Sequence, residues 1–200
     1  MPDTTDLLLT RRSLLGLIPA VYAAGVPSQV AAQGGTALSN SVEAKIKAMG
    51  LVLPSGPPIA PSGARFPFVF VRVRGNRAYV AGHGPANPDG TIGGPFGKVG
   101  GTVTVEQAYQ AARSTGLNIL ASLQREIGDL NRIAAWLRVF GRVNSAPGFN
   151  RQPWVINGFS DLILELYGPE RGAHARSAVG MAELPFDIPV EIEAEVELVS

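Results

Sequence analysis

Cysteine is absent from this chain of 200 residues, and histidine occurs only twice. The absence of cysteine excludes disulfides, thiolate metal sites and a cysteine nucleophile. Two histidines alone cannot build a zinc site, so we expect neither a metal nor a cofactor. Any catalysis must then use arginine, glutamate, aspartate, histidine or backbone groups.

A strong charge of either sign is also missing. The 17 lysines and arginines nearly balance the 16 aspartates and glutamates, which leaves a net charge of +1, and the basic residues form no run. Nucleic-acid surfaces normally concentrate basic residues, because phosphate contacts supply much of the affinity. We therefore expect no nucleic-acid partner, and the charge gives no sign of a membrane surface.

Long hydrophobic runs are the third absence. The apolar run from Leu14 to Val26 is shorter than the roughly 20 residues that a transmembrane helix needs, so we expect no stable membrane insertion. Arg11 and Arg12 precede this run and small residues follow it, which is typical of a twin-arginine export signal cleaved after Ala32. We therefore expect residues 1–32 to be a signal peptide and the protein to be periplasmic. The alternative is a cytoplasmic protein with an unstructured basic leader.

The remainder is predicted to hold one folded domain behind a short adapter. With 46% hydrophobic and 16% charged residues, the chain can bury one ordinary core. Asn40 and Glu43 have the spacing of a capping box, so a short helix is predicted up to Gly50. Four prolines then predict an extended connector. The expected boundaries are residues 33–63 for the adapter and connector and residues 64–200 for the domain.

Three strands are predicted in the first two thirds of the domain. Residues 68–74 alternate between apolar and polar side chains, Gly75-Asn76 supplies a turn and residues 77–81 return, a pattern typical of a β-hairpin. Residues 133–143 predict the third strand. Its expected core face is Leu137 and Val139, and its other face is Arg138, Phe140 and Arg142.

Two helices are predicted, one before and one after that third strand. Thr104 and Gln107 have the spacing of a capping box, and the apolar stripe that follows them ends at Gly128. Pro153 suits the first turn of the second helix, and Gly168 suits its C-terminal cap. The order of strands and helices predicts an α+β fold, in which a sheet carries both helices on one face.

The last strand has the clearest pattern. From Val190 to Leu198 the chain alternates strictly between apolar side chains and the glutamates 191, 193, 195 and 197. Carboxylates on this face lie about 7 Å apart, so they need solvent or cations from neighbouring strands. A strand with one solvated face is the plain interpretation. We expect Arg176 on an adjacent strand, and the further candidate cations are Arg72, Arg74, Arg138 and Arg142.

The face of the sheet opposite the helices is predicted to be a subunit interface. It would combine these arginines and glutamates with three aromatic side chains, which are Phe68, Phe70 and Phe140. Such a face is too polar to be part of a hydrophobic core, and it has too many aromatic side chains for a surface exposed only to solvent. Other subunits must therefore cover it.

Three segments resemble one known family. The segment ARSAVGMAELP, followed by VEIEAEVEL, resembles the C-terminal signature of the Rid family, the reactive intermediate deaminases formerly called YjgF. Residues 79–90 resemble that family's second strand and following loop, and Val155-Ile156-Asn157 resembles its second-helix motif. The resemblance covers residues 64–199. The NSAPGF segment (144–149) and the HARSAVG segment (174–180) are similar to a divergent branch, chorismate-mutase-like and L-PSP endoribonuclease-like.

The resemblance implies a chorismate-mutase-like (YjgF/Rid) fold that assembles as a homotrimer with clefts between subunits. In Rid-like proteins this cleft hydrolyses 2-imino or enamine acids to 2-keto acids and ammonia. Arg176, whose planar fork can bind a carboxylate bidentately, would hold the substrate. Glu191 would be the acid and base, with a pKa raised by burial. The further positions that would line the cleft are Gly82, Ala81, Asn157 and Phe68.

The chain also departs from the family pattern at three of these positions. Ala81 stands where the family commonly has serine, His83 where it has glutamine, and Phe68 where it often has tyrosine, so two hydroxyl contacts are missing. His83 and His174 are candidates for additional site residues, although a lone histidine more often packs or hydrogen-bonds. Two alternatives therefore remain: a non-catalytic trimer that binds a small carboxylate or a protein, and an endoribonuclease, which the near-neutral charge disfavours.

Overall fold

The computed structural model of the protein describes residues 41–59 and 65–199. Three helices are α1 (Val42–Ala48), α2 (Val105–Ile127) and α3 (Gln152–Gly172). Five strands are β1 (Val71–Arg74), β2 (Arg77–His83), β3 (Ile133–Asn144), β4 (Ala175–Met181) and β5 (Val190–Leu198). The predicted signal peptide and Asn40 lie outside the described residues. Within them, no helix is both long enough and apolar enough to span a membrane.

The five strands form one sheet in the order β1-β2-β5-β3-β4. Strands β1, β2, β5 and β3 pair antiparallel, whereas β4 pairs parallel to β3. Helices α2 and α3 pack against each other and against the sheet, so that their apolar sides share one core with the buried face of the strands. The predicted α+β fold with two long helices on one face is confirmed.

The expectation that Arg176 lies on a strand adjacent to the glutamates is wrong. Arg176 is on β4 and Glu191 is on β5, and β3 runs between these two strands. A strand that returns through a helix pairs parallel beside the strand it left, which puts β4 at the edge next to β3. β5 instead inserts between β2 and β3.

The predicted core face of β3 is correct at Val139 and wrong at Leu137. The register of β3 against β5 shifts twice near the start of the strand. Each shift adds a residue without a partner, which exchanges the two faces of the strand locally. Trp136 is consequently buried and Leu137 is only half-buried. Beyond the second shift the expected alternation holds.

Helix α1 packs into the same core as the sheet and the long helices. Ser41 caps it, since its hydroxyl accepts the backbone N–H three residues on. Glu43 is bonded elsewhere: its carboxylate accepts the backbone N–H of Leu130 at 2.8 Å and the side-chain amide of Asn131 at 2.9 Å. Ile46 is buried against the core. The helix expected in the adapter is thus fixed to the domain.

Both predicted ends of α2 are confirmed, whereas the predicted end of α3 at Gly168 is an interruption inside the helix. At the start of α2, the Thr104 hydroxyl accepts the Gln107 backbone N–H at 3.2 Å, and the Gln107 side chain accepts the Thr104 N–H at 2.9 Å. Gly128 follows the helix with φ 82°. Gly168, with φ 73°, interrupts α3 one turn before its end. Both positive φ values favour glycine.

The two long helices touch most closely at Gly158. A Cβ atom at this position would lie 2.0 Å from the backbone oxygen of Tyr109. Backbone cannot move aside as a side chain can, so the approach of α2 to α3 depends on the missing side chain.

We therefore expect Gly158→Ala to lower the free energy of unfolding by about 1–3 kcal/mol through overpacking. Alanine stabilises a helix by about 1 kcal/mol relative to glycine. Helix propensity alone would therefore make this variant more stable, which is the opposite of the expected change. Chemical denaturation at one fixed protein concentration measures the change.

Gly116→Ala is the matched control on α2. There the added atom would meet the Leu162 side-chain end at 2.8 Å, which can rotate away. Its loss should be smaller than that of Gly158→Ala. Equal losses in the two variants would show that the backbone contact does not limit helix packing.

Candidate functional site

A cavity of about 510 Å³ lies where the end of β2 meets the start of β5. It brings together five of the predicted site residues, which are Phe68, Ala81, Gly82, His83 and Glu191. The remaining predicted residues, Arg176, Asn157 and His174, are grouped elsewhere. The candidate site of one subunit therefore consists of two separate clusters.

Glu191 is a carboxylate of the cavity whose environment shifts its pKa. Its carboxylate accepts a hydrogen bond from the Arg142 guanidinium at 3.0 Å, and the same guanidinium contacts Glu193 at 3.0 Å. Burial raises the pKa of Glu191 above its ordinary value. The positive charge of Arg142 opposes this increase, and the negative charge of Glu193 adds to it. A carboxylate with a raised pKa is suited to taking up and returning a proton.

Gly82 allows the Glu191 carboxylate to lie against the backbone of β2. A Cβ atom on Gly82 would be 2.8 Å from Glu191 Oε1. The pairing of β2 with β5 is irregular between Val80 and His83, on either side of this glycine. The carboxylate and the Gly82 backbone therefore form one wall of the cavity.

His83 is buried and fully hydrogen-bonded. Its Nδ1 donates to the Ala81 carbonyl at 2.7 Å, which requires Nε2 in the neutral ring to accept, and Nε2 lies 2.9 Å from the Ser122 hydroxyl. Ser122 in turn accepts from Arg125 at 2.8 Å. Burial lowers the pKa of His83 to about 4. Its ring packs on Phe70 with the ring centroids 5.1 Å apart. His83 thus shapes the cavity as a neutral side chain.

Arg176 is the centre of the second cluster, which lies against α3. Its guanidinium donates to the Asn157 side-chain oxygen and to the Ser160 hydroxyl, both at 2.9 Å, and to the Pro153 carbonyl at 3.5 Å. The Ser160 hydroxyl also lies 3.0 Å from His174 Nε2. Arg176 thus bonds Asn157 directly and is linked to His174 through Ser160.

His174 repeats the arrangement of His83. Its Nδ1 donates to the Gly172 carbonyl at 2.7 Å, which leaves Nε2 to accept from Ser160. Burial lowers the pKa of His174, and the neighbouring Arg176 lowers it further. A neutral His174 lets Ser160 keep its oxygen lone pairs for the guanidinium.

The two clusters lie on opposite faces of the sheet. Arg176 pairs with Val139 on β3, and Glu191 pairs with Arg142 on the same strand. Positions three apart on a regular strand point to opposite faces. Arg176 accordingly reaches the helices, whereas Glu191 points to the face that they leave uncovered.

Of the five arginines expected to match the glutamates, only Arg142 forms an ion pair with them within residues 41–59 and 65–199. Glu197 instead accepts a hydrogen bond from the Asn76 side chain at 2.8 Å. The same described ranges hold no group of three or more His, Asp and Glu side chains arranged to bind a metal.

The cavity residues that sequence reasoning missed include two aromatic side chains and one amide. Phe66 and Phe186 extend its aromatic wall beyond Phe68 and Phe70, and Asn118 contributes a polar group from α2. Asn118 lies within the apolar stripe of that helix, and its polarity there was the available signal. Phe186 directly follows the Leu-Pro step of the C-terminal motif.

The chain matches, over residues 43–190, the family described as "YjgF/chorismate_mutase-like, putative endoribonuclease". Protein TCP17 of Trypanosoma cruzi is 39% identical over 160 residues, which are 80% of this chain and 96% of that protein. The structure of Atu1372 from Agrobacterium tumefaciens is 38% identical with a TM-score of 0.69, covering 82% of this chain and 95% of that one. A "putative endoribonuclease" of Shewanella oneidensis is 29% identical with a TM-score of 0.70, covering 79% and 99%. The chain therefore belongs to the YjgF/chorismate-mutase-like family, the Rid family that its C-terminal motif resembles.

Proposed function

We propose that this protein hydrolyses reactive 2-imino or enamine acids to 2-keto acids and ammonia. The observation that carries this proposal is the position of Glu191, whose half-buried carboxylate lies against the Gly82 backbone in the wall of a 510 Å³ cavity. Its raised pKa supports a role as a proton acceptor and donor.

The proposed reaction adds water across the C=N bond of the substrate. As the water oxygen attacks C2 of the protonated imine, Glu191 takes a proton from the water and the C=N electron pair moves to nitrogen, which becomes a neutral amine. The tetrahedral intermediate then collapses: Glu191 gives its proton to this nitrogen, the C2–N bond breaks to release ammonia, and a C2=O bond forms as the hydroxyl proton passes to Glu191 and from there to solvent. Arg142 at 3.0 Å stabilises the ionised form of Glu191 between these steps.

A second subunit is proposed to complete the site. Arg176 is the expected ligand of the substrate carboxylate, yet it lies on the helix-covered face of the sheet, opposite to Glu191. The exposed aromatic side chains Phe68 and Tyr79 support covering of the open face by other copies. We propose a homotrimer in which Arg176 of one subunit approaches the Glu191 cavity of its neighbour.

The second candidate function is binding without catalysis. Ala81 and Phe68 line the cavity and supply no hydroxyl group, where the family commonly has serine and tyrosine. A trimer that binds a small carboxylate or a protein is compatible with such a cavity.

Endoribonuclease activity, named for some relatives, is disfavoured by the net charge of +1. Export by the twin-arginine pathway remains our proposal for localisation.

Glu191→Gln is expected to reduce turnover by about 10²–10⁴-fold, because it keeps the shape of the side chain and removes the base. Affinity for a 2-keto acid should be nearly unchanged. In the unsubstituted protein, kcat/KM should fall as the pH is lowered through the pKa of Glu191, at higher pH than for an ordinary glutamate. Keto-acid release from freshly generated 2-imino acids measures these effects.

Glu197→Gln is the matched control, since Glu197 lies on the same strand face and bonds Asn76 outside the cavity. It should retain activity. If the unsubstituted protein released keto acids no faster than buffer but still bound a 2-keto acid, the deaminase proposal would fail and the binding function would stand.

Subunit mixing tests the shared site. Arg176→Lys and Glu191→Gln should each be nearly inactive as pure assemblies. An equal mixture, reassembled from subunits or obtained by co-expression, should regain about a quarter of the unsubstituted activity. In a randomly mixed trimer, about a quarter of the shared sites receive an intact Arg176 from one subunit and an intact Glu191 from its neighbour.

No recovery in the mixture would place both residues in the site of one subunit. Light scattering provides the control, because both variants and their mixture must have the mass of a trimer for the comparison to hold. A monodisperse monomer at micromolar concentration would contradict the shared cleft.

A further inference from the structure

An unpaired oxygen atom lies in the wall of the Glu191 cavity. Asn118, on α2, is 3% exposed and lines the cavity. Its Nδ2 donates to the Gly84 carbonyl at 3.1 Å. A carbonyl oxygen can only accept, so this bond fixes the orientation of the amide. Asn118 Oδ1 is then an oriented acceptor, and no hydrogen-bond donor within the described residues reaches it.

A buried acceptor without a partner points to a ligand that supplies the donor. Nearly all buried polar side-chain atoms in proteins are hydrogen-bonded, so each exception calls for an explanation. Asn118 lines a cavity of about 510 Å³, a size within the range of small-molecule sites. The occupant should therefore present an O–H or N–H group to this wall.

The rest of the wall favours an aromatic occupant. Four phenylalanines line the cavity, and they form a continuous cluster in which neighbouring ring centroids lie 5.2–6.5 Å apart. The members are Phe66, Phe68, Phe70 and Phe186. Aromatic rings pair edge-on or offset at such distances, so another ring can join the cluster. A small aliphatic side chain would leave most of this surface uncovered.

The position of Phe186 supports the same conclusion. Both Phe186 and Asp187 have φ 58°, a left-handed backbone that side chains other than glycine adopt at a cost. The Asp187 carboxylate accepts from Asn144 at 3.1 Å, which helps to hold the turn. The strained turn keeps a large apolar side chain, 41% exposed, at the cavity. Such strain is retained where a site uses the side chain.

Both polar groups of the cavity contact one short chain segment. Glu191 lies against Gly82, and Asn118 bonds Gly84, two residues further along. A ligand whose reacting carbon lies beside Glu191 can therefore extend its side chain along this segment towards Asn118.

We propose that the substrate is an aromatic 2-imino acid whose ring carries a hydrogen-bond donor, and that Asn118 Oδ1 accepts this donor. The inference rests on the proposed function, because it takes Glu191 as the group beside the reacting carbon. It adds Asn118 as the residue that selects the side chain.

Two stable keto acids that differ by one hydroxyl group test the proposal by calorimetry on the purified full chain. 4-Hydroxyphenylpyruvate should bind about tenfold more tightly than phenylpyruvate, the change expected for one buried hydrogen bond. Equal affinities would overturn the proposal, since a water molecule would then be the partner of Asn118. This comparison needs no substituted protein.

Asn118→Leu separates selectivity from folding. This substitution should abolish the preference for 4-hydroxyphenylpyruvate, because it weakens the binding of that ligand only. Phenylpyruvate should bind at least as tightly as to the unsubstituted protein. Weaker binding of both ligands with the preference retained would overturn the role of Asn118. Ser114→Ala is the matched control, because Ser114 also donates to the following loop, at the Ala86 carbonyl, from the same helix. It should retain the preference.

Turnover distinguishes this inference from the proposed function. Imines generated from tyrosine and phenylalanine by an amino-acid oxidase supply matched substrates. Hydrolysis of both with equal kcat/KM would overturn the side-chain selection and retain the deaminase. A binding preference without any hydrolysis would overturn the deaminase and retain the selection.

Discussion

The alternation of β5 is the constraint on which the rest of the structure depends. This strand lies in the middle of the sheet, and its apolar side chains are buried under the helices while its glutamates point to the other face. A slip of one residue would place four carboxylates in the core, so the register is strongly fixed. The same register sets Glu191 opposite Arg142 and against Gly82. The requirement for a buried core thereby positions the candidate catalytic group.

The two histidines show how this chain orients polar groups without using their charge. Each donates from Nδ1 to a nearby carbonyl and accepts at Nε2 from a serine, and each serine accepts from an arginine. Burial lowers the pKa of both rings. His83 joins β2 to α2 in this way, and His174 joins the start of β4 to α3. In the second arrangement, Ser160 and Asn157 both accept hydrogen bonds from the Arg176 guanidinium and so fix its orientation.

The cavity combines a close approach of a carboxylate to backbone with mostly apolar walls. Glu191 lies against Gly82, whereas Ala81 and Phe68 provide no hydroxyl group. Asn118 adds an amide to the wall, and no donor within the described residues reaches its oxygen. The proposed proton transfer and the proposed side-chain selection therefore depend on different residues.

Much of the fold was determined by the sequence alone. The capping box at Thr104, the glycine that ends α2 and the alternation of β5 depend on neighbouring residues, so local chemistry specified the elements and the α+β class. The C-terminal motif likewise identified Glu191 and Arg176. The pairing of strands was decided only by the tertiary structure, because it joins residues far apart in the chain. That pairing placed β3 between the two candidate groups, buried Trp136 instead of Leu137 through register shifts, and turned an asparagine in an apolar stripe towards the cavity. Long-range contacts set which face each side chain presents, and sequence periodicity does not contain them.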